Sequence, residues 1–292
     1  MNLKYASWAA FLLLCLIWGS SFILMKVSSQ GLTAPQIAGV RIFAAGFVFI
    51  PFAVYYFRLV PRRKLGFVVL TGVFGNLLPA FLFAFAVTKI DSSLTGILNS
   101  LTPVCVIVIG ALFFRLKIPA QKVLGVLVGL AGLVMLTLLR EGVDLENLGY
   151  ASLVILATFS YGLNVNIVAK YLKGVNPIHG ASVSLAAMTV PAGVVLYLQD
   201  FQGLAFSDPV VRWAIVNAVL LGIAASSIAT TLFYFLVQRA GGLFASLVTY
   251  GVPFVALGWG YWSGEAITLV EIVCLLVILS GVYLANRPVK RP

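Results

Sequence analysis

The chain has 292 residues, of which 62% are hydrophobic and 9% are charged, and its mean hydropathy is +1.10. A soluble domain carries about 25% charged residues, so this composition excludes a soluble globular protein and predicts that lipid surrounds most of the surface. The formal net charge is +11, but the basic residues lie in short segments between apolar runs, which indicates membrane topology rather than a nucleic-acid partner.

Ten apolar runs follow one another along the chain, separated by charges, prolines and glycine clusters. A bilayer-spanning helix needs about 20 apolar residues, so we predict an all-α polytopic membrane protein with ten transmembrane helices. Their predicted limits are 6–28, 35–57, 65–87, 92–114, 121–139, 149–171, 178–198, 211–236, 243–262 and 267–286. The first run exceeds the roughly 7–15 residues of a signal-peptide core, and we expect it to be a retained span.

The three cysteines, Cys15, Cys105 and Cys274, all lie inside apolar runs. Cysteine in such a position usually packs as a small apolar residue. The pattern does not suggest a disulfide framework or a zinc site, and we expect no metal and no cofactor.

The distribution of lysine and arginine predicts the orientation of the chain. If the N-terminus is cytoplasmic, 14 of the 19 basic residues fall on the cytoplasmic side. The eight acidic residues then fall on or near the outer side. We therefore expect a multi-pass protein of the cell inner membrane with both termini in the cytoplasm.

The two halves of the chain resemble each other. Residues 87–103 align with 237–253 at a constant shift of 150, and Trp18 can be set against Tyr161. Because each half holds five helices, an odd number, the second half enters the membrane in the opposite sense. Inverted repeats of this kind place a solute site near the bilayer midplane, between the halves. The predicted repeats are residues 1–142 and 143–292.

Polar side chains inside the predicted spans are candidates for solute binding, since they are costly in lipid unless they face protein or water. In helices four, eight and nine they recur at spacings of three and four, on single helix faces. Hydrogen bonding between helices is the alternative role for them. Trp18 and Tyr161 could stack on an aromatic or cationic solute, or only fill space. The candidate solute-binding residues are Trp18, Asn76, Asn99, Tyr161, Asn164, Ser227, Thr230 and Tyr250.

Two prolines occupy equivalent places in the repeats. Pro103 and Pro253 each remove a helical hydrogen bond, which predicts either paired hinges or static kinks.

The predicted spans carry no acidic residue at their middle, and His179, the single histidine, lies at the start of helix seven. A proton relay normally needs a carboxylate or histidine at membrane depth. Since the middle of the spans holds neither, we expect a near-neutral cavity. Lys26 and Arg41 are expected in outer halves, either drawing anions to the outer mouth or snorkelling to the headgroups.

Several short motifs resemble those of one transporter family. They are Leu16–Phe22 with Lys26, Ala38–Arg41, and the run 220–285 with Gly264-Glu265. Together they resemble the ten-helix EamA-type exporters of the drug/metabolite transporter (DMT) superfamily, and within it the YddG-type exporters of aromatic amino acids. The resemblance implies a cavity lined by helices one, three, four, six, eight and nine. The first repeat departs from it by carrying Phe114-Arg115 where the second carries Gly264-Glu265.

We therefore predict a secondary transporter that exports small organic metabolites, above all aromatic or neutral amino acids, by facilitative alternating access. The alternative is efflux of drugs or organic cations by proton antiport. An enzyme would need a cluster of carboxylates, histidines or an activated nucleophile, which the spans lack. The expected partners are a small-molecule substrate and the lipid bilayer but no nucleic acid, with the protein a monomer or weak homodimer.

Overall fold

The computed structural model describes residues 3–115, 119–139, 145–246 and 248–286. Ten long helices account for the regular structure of these ranges, together with two short 3₁₀ helices at Phe57–Leu59 and Phe201–Gly203. Their bounds are α1 Leu3–Ser28, α2 Ala34–Tyr56, α3 Arg62–Val87, α4 Ser92–Phe114, α5 Ala120–Leu139, α6 Leu145–Tyr171, α7 Pro177–Leu198, α8 209–246, α9 Val248–Trp262 and α10 Leu269–Asn286. Seven helices of the described part, α1 to α4 and α6 to α8, are long and apolar enough to cross a membrane. The prediction of a ten-helix membrane protein is confirmed.

Some parts of the sequence-based prediction fall outside the described residues. The boundary between the repeats, at residues 142 and 143, is one of them. The others are charged groups used for the orientation, namely Lys117, Arg140, Glu141, Asp144, Arg287, Lys290 and Arg291, together with the side chains of Lys4, Lys122 and Glu146.

The predicted loop between helices eight and nine, at residues 237–242, is helical, and α8 continues to Ser246. The stretch holds no proline, and its Gln238, Arg239 and Ala240 are good helix formers. The prediction relied on Arg239 and a glycine pair as loop signals, and those signals were too weak to end the helix.

Short polar motifs start two of the helices. Before α7, the Asn176 side chain accepts a hydrogen bond from the Ile178 N–H at 2.9 Å, and Pro177 follows. Before α8, Asp208 accepts one from the Val210 N–H at 2.8 Å, and Pro209 follows. An Asn or Asp cap with proline at the first helical position is a strong start signal because it satisfies an amide that the helix leaves unpaired.

The helices pack in a pattern that repeats between the halves. The two most extensive packings join α2 to α7 and α5 to α10, which are equivalent helices. The packing of α1 on α9 is repeated by that of α6 on α4. Gly19 and Gly162 permit these last two contacts, since an added Cβ would lie 2.9 Å from the Val252 oxygen and 3.0 Å from the Cys105 oxygen, respectively.

A short π-helical segment interrupts one long helix in each half. In α3 it spans Val73–Leu77, and in α8 it spans Gly222–Ile228. The starts of the two segments are separated by about the same shift of 150 that aligns the repeats. Such segments are rare and often lie at functional sites, and each of these puts polar residues into the bundle.

One carboxylate joins the two repeats. Glu265, in the loop after α9, accepts hydrogen bonds from the Ser92 N–H (3.0 Å), the Ser92 hydroxyl (2.6 Å) and the Ser93 N–H (3.0 Å). These donors form the N-terminus of α4, where the helix dipole also favours an anion. Arg115, the equivalent residue of the first repeat, instead ends α4 in a left-handed conformation with φ of 55°.

The bonds to Glu265 change its acidity. Burial raises the pKa of this carboxyl group, but the hydrogen bonds from Ser92 and Ser93 outweigh burial and hold the pKa below its ordinary value of 4.5. A carboxylate with a lowered folded-state pKa stabilises the fold above its unfolded pKa. That stabilisation is lost as the pH falls through the lowered value.

We expect Glu265→Gln to lower the free energy of unfolding at pH 7 by about 1–2 kcal/mol, since it removes a charged acceptor of two backbone donors. The deficit should shrink as the pH falls below the ordinary value of 4.5 and through the lowered pKa of the folded wild-type carboxyl group. Denaturant unfolding in detergent micelles at several pH values measures both effects. Asp200→Asn, at an exposed acidic residue, is the control, and an equal loss in both variants would contradict this role of Glu265.

Candidate functional site

A cavity of about 70 Å³ lies between the two repeats. All six helices predicted to line it contribute residues, namely α1, α3, α4, α6, α8 and α9. A seventh helix, α2, contributes Arg41. No lining residue in the described part comes from α5 or α10, which pack on each other through the closely approaching Gly129 and Gly281. The lining helices are therefore as predicted, with α2 added.

Aromatic rings form two walls of the cavity that are related by the repeat. Trp18 of α1 packs on Phe233 of α8, with ring centroids 5.3 Å apart. Tyr161 of α6 packs on Phe83 of α3 at 5.9 Å. Phe83 and Phe233 are separated by the shift of 150, so the two pairs are equivalent. The Trp18 indole is also fixed by a 3.0 Å hydrogen bond to the Ala225 carbonyl oxygen in the π-helical segment of α8.

Polar lining residues also come in equivalent pairs. Asn99 of α4 corresponds to Thr249 of α9, and Ser21 of α1 to Asn164 of α6, and all four line the cavity. Phe83, Phe233 and Thr249 were missing from the predicted set. The shift of 150 relates the candidate Asn99 to Thr249, whereas it relates Phe83 only to Phe233, and neither phenylalanine was a candidate. Applying the repeat shift to every candidate is the signal that the sequence analysis left unused.

Helix α4 is interrupted where its residues Asn99 and Thr102 line the cavity. The helix stops at Asn99 and resumes at Thr102. Pro103 has no N–H to offer the Asn99 carbonyl oxygen, four residues earlier. The Thr102 hydroxyl donates to that oxygen instead, at 2.7 Å. Pro253, by contrast, lies inside α9 as the structure describes it, so the two predicted hinges differ locally.

Two buried amides near the cavity have incomplete hydrogen bonding. Asn76, in the π-helical segment of α3, is 4% exposed, and its Oδ1 accepts from the Thr230 hydroxyl at 3.0 Å. Its Nδ2 has no acceptor among the described residues. Asn164 is 5% exposed, and its Oδ1 has no donor there. Buried polar atoms are nearly always paired, so these two atoms are suited to a water molecule or a ligand.

Three predicted site residues are not among the residues that line the cavity, namely Asn76, which follows the lining residue Gly75, and also Ser227 and Tyr250. Ser227 is buried and donates to the Ala45 carbonyl oxygen at 3.0 Å, which joins α8 to α2. Tyr250 is partly buried against the apolar core, and its neighbour Thr249 lines the cavity instead. Trp18, Asn99, Tyr161, Asn164 and Thr230 all line it. Solute binding by any of these residues stays a prediction.

Arg41 does not lie at the outer mouth, and the prediction of a near-neutral cavity is wrong. The side chain is only 5% exposed and lines the cavity. The α2 face that carries it packs on α8, where the Arg41 Nε donates to the Ser226 hydroxyl at 3.0 Å. This packing turns the guanidinium into the bundle, so it cannot snorkel to the headgroups.

Lys26 is held by backbone oxygens rather than at an open mouth. Its ammonium group donates to the carbonyl oxygens of Val87 at 3.3 Å and Ile90 at 3.5 Å. These oxygens lie at the C-terminal end of α3, where a cation is favoured by the helix dipole. Lys26 therefore ties α1 to α3 and does not line the cavity.

The described residues that line the cavity include no histidine, cysteine or acidic side chain. Within the ranges that the structure describes, no group of three or more histidine, cysteine and acidic residues is placed to hold a metal ion. The cavity instead combines aromatic faces, amides and hydroxyls with one guanidinium. That combination can hold a small organic molecule through stacking and hydrogen bonds.

Comparison with known proteins identifies the chain's relatives. The profile of the EamA-like transporter family matches residues 6–138 and again 148–287. An uncharacterized transporter of Archaeoglobus fulgidus is 24% identical over 281 residues, which cover 96% of this chain and 98% of that protein. The uncharacterized inner membrane transporter YedA of Escherichia coli K12 is 25% identical over 288 residues, which cover 94% and 88%.

The fold also occurs in a solved crystal structure. That structure superposes with a TM-score of 0.66 over 97% of this chain and 96% of its own, at 16% sequence identity. At such low identity the likeness concerns the fold alone. The double family match, one per half, confirms that the chain is built from two repeats of one kind.

We expect Asn164→Leu to leave the free energy of unfolding unchanged or slightly higher, because Asn164 Oδ1 has no described hydrogen bond to lose. Asn166→Leu, two residues on, is the matched comparison. Its amide donates to the Val106 and Gly162 carbonyl oxygens, both at 2.9 Å, and its loss should cost about 1–3 kcal/mol. Unfolding of both variants in detergent measures the difference. A large loss in Asn164→Leu would mean that Asn164 has a structural role.

Proposed function

The chain belongs to the EamA-like transporter family, and from that premise we propose that it exports small organic metabolites, above all aromatic and neutral amino acids. It is a multi-pass membrane transporter and not an enzyme. The finer statement, a YddG-type preference for aromatic amino acids, is part of the proposal. The name of YedA places that relative in the inner membrane, and we propose the same location here.

The observation that supports this substrate class best is the pair of aromatic walls. Trp18 with Phe233, and Tyr161 with Phe83, offer ring faces and edges to one cavity. An aromatic side chain between them can make offset or edge-to-face contacts, worth about 0.5–1.5 kcal/mol per ring pair. Amides and hydroxyls beside the walls can bind the polar end of the solute.

The repeat supports alternating access as the mechanism. The cavity walls consist of equivalent residues from both halves, so a rocking motion can exchange their roles. The segments that interrupt the helices lie beside the cavity, two of them π-helical and one the break before Pro103. Irregular segments of this kind absorb changes of backbone angle. We propose Pro103 and Pro253 as bending points in this motion.

Facilitated movement is favoured over proton-coupled efflux of cations. No carboxylate or histidine lines the cavity in the described part of the chain. A proton relay needs such a group at membrane depth. Arg41 adds a second argument, since a buried guanidinium repels an organic cation in a low-dielectric site.

In proteoliposomes, a gradient of L-phenylalanine alone should drive flux, and a pH gradient without it should not cause accumulation. Trp18→Ala and Asn99→Ala should lower the flux by about three- to tenfold, because they remove lining groups worth about 0.5–1.5 kcal/mol each. Uptake of radiolabelled phenylalanine into vesicles measures both effects.

Matched controls separate a loss of transport from a loss of folding. Asn217→Ala, whose amide bonds within α8 to the Trp213 carbonyl oxygen at 2.8 Å, should keep its flux. Glu271→Gln, in the first turn of α10, should also keep it. Accumulation driven by pH that disappears in Glu271→Gln would replace the facilitator with proton antiport.

The orientation with both termini cytoplasmic predicts a simple labelling pattern. In a cysteine-free background, Gln202→Cys between α7 and α8 should react in intact cells with a membrane-impermeant maleimide. Arg63→Cys at the start of α3 should react only after permeabilisation. Both positions are exposed in the structure, so accessibility of the side chain does not bias the comparison. Labelling of Arg63→Cys in intact cells would reverse the topology.

A further inference from the structure

Arg41 is a positive charge inside the membrane part of the bundle, 5% exposed and facing the cavity. A charge at such depth is costly unless another group compensates for it. An arginine that is neither at the lipid interface nor at a helix end therefore needs an explanation from its neighbours.

The neighbours of Arg41 in the described part of the chain are polar but carry no formal negative charge. The Nε donates to the Ser226 hydroxyl at 3.0 Å, and Nη1 approaches the Met25 sulfur at 3.9 Å. The Tyr161 hydroxyl is a further polar neighbour. No hydrogen bond of Arg41 to a carboxylate occurs among the residues that the structure describes. Compensation of the charge must come from elsewhere.

Arg41 has no equivalent among the lining residues of the second repeat. Most lining positions have a lining counterpart in the other half, as Asn99 has in Thr249. The proline match of the two halves, Pro35 with Pro177, sets Arg41 against Val183, a buried residue outside the lining. The cavity thus has one cationic side and an opposite side without a cation.

The incompletely bonded amides are a second, independent observation. Asn76 Nδ2 has no acceptor and Asn164 Oδ1 has no donor among the described residues, and both side chains are at least nine-tenths buried. A bound molecule with an acceptor and a donor at one end would satisfy both. An α-amino carboxylate has this combination, next to a side chain that fits the aromatic walls.

We propose that Arg41 binds the carboxylate of the transported solute, so the site selects molecules with a carboxylate beside an apolar or aromatic group and rejects the corresponding amines. The inference rests on the proposed export function and narrows its substrate class. A guanidinium binds a carboxylate through two parallel hydrogen bonds, which an ammonium cannot reproduce. The Nε of Arg41 donates to the Ser226 hydroxyl, and the Arg41 side chain is part of the cavity lining.

Three probes that share one phenyl group test the proposal. L-phenylalanine has both charges, 3-phenylpropionate has only the carboxylate, and 2-phenylethylamine has only the ammonium group. In purified wild-type protein, the two carboxylates should raise the thermal unfolding midpoint and compete with each other. The amine should do neither. Wild-type protein alone therefore decides the main question, whether or not every variant folds.

Variants then assign the effect to Arg41. Arg41→Met should lose about tenfold or more of its affinity for both carboxylates, and Arg41→Lys should lose part of it, because it keeps the charge without the fork. Arg212→Met, at an exposed arginine on α8, removes the same charge elsewhere and should bind as the wild type does. Elution and unfolding curves without ligand confirm that each variant is folded.

The outcomes distinguish this inference from the proposed function. Carboxylate binding that depends on Arg41, without flux in proteoliposomes, would support the carboxylate site and overturn export. Equal transport of phenylalanine and phenylethylamine, unchanged in Arg41→Met, would support export and overturn the carboxylate site. Failure of both carboxylates to bind the wild-type protein would also overturn it.

Discussion

Helices in lipid cannot associate by hiding apolar side chains from water, because the surrounding lipid tails are just as apolar. Their packing depends on close backbone approach and on hydrogen bonds inside the bundle. Gly19 and Gly162 let α1 approach α9 and α6 approach α4 closely, because neither residue carries a side chain that would separate the helices. The remaining space between the halves is small, and buried polar groups are concentrated around it. The position of the cavity follows from where helices touch most closely and where a π-helical segment or a break keeps them apart.

The repeat imposes equivalence on this arrangement, and the exceptions are informative. Aromatic pairs, π-helical segments and most polar lining residues occur twice. Arg41 and Glu265 occur once. Arg41 gives the cavity a positive charge, and Glu265 joins the loop after α9 to the start of α4. A symmetric scaffold whose cavity carries a single asymmetric charge, that of Arg41, can hold a polar solute in one defined direction.

Much of this organisation could be predicted from the sequence, since helix count, repeat and lining helices all follow from hydropathy and spacing. Two of the failures, those at Tyr250 and Arg41, have a common cause, which is the rotation of a helix about its axis. Adjacent residues on a helix point about 100° apart, so the stripe on α9 could not show that Thr249 rather than Tyr250 lines the cavity. Arg41 was misplaced because its direction depends on how α2 packs against Ser226. The π-helical segments depend on hydrogen-bond register, which residue patterns do not reveal.

The hydrogen bonds of Glu265 also bear on the proposed transport cycle. It stabilises the arrangement in which the loop after α9 lies against the start of α4, and Arg115 makes no equivalent bond among the described residues. Under the alternating access that we propose, the two access states would then differ in free energy even without solute, and the resting population would be unequal. For a carrier without an energy source, unequal resting states give different half-saturation concentrations on the two faces of the membrane. The ratio of the maximal transport rate to the half-saturation concentration must still be the same in both directions. This follows because no net flux occurs when the solute concentrations on the two sides of the membrane are equal.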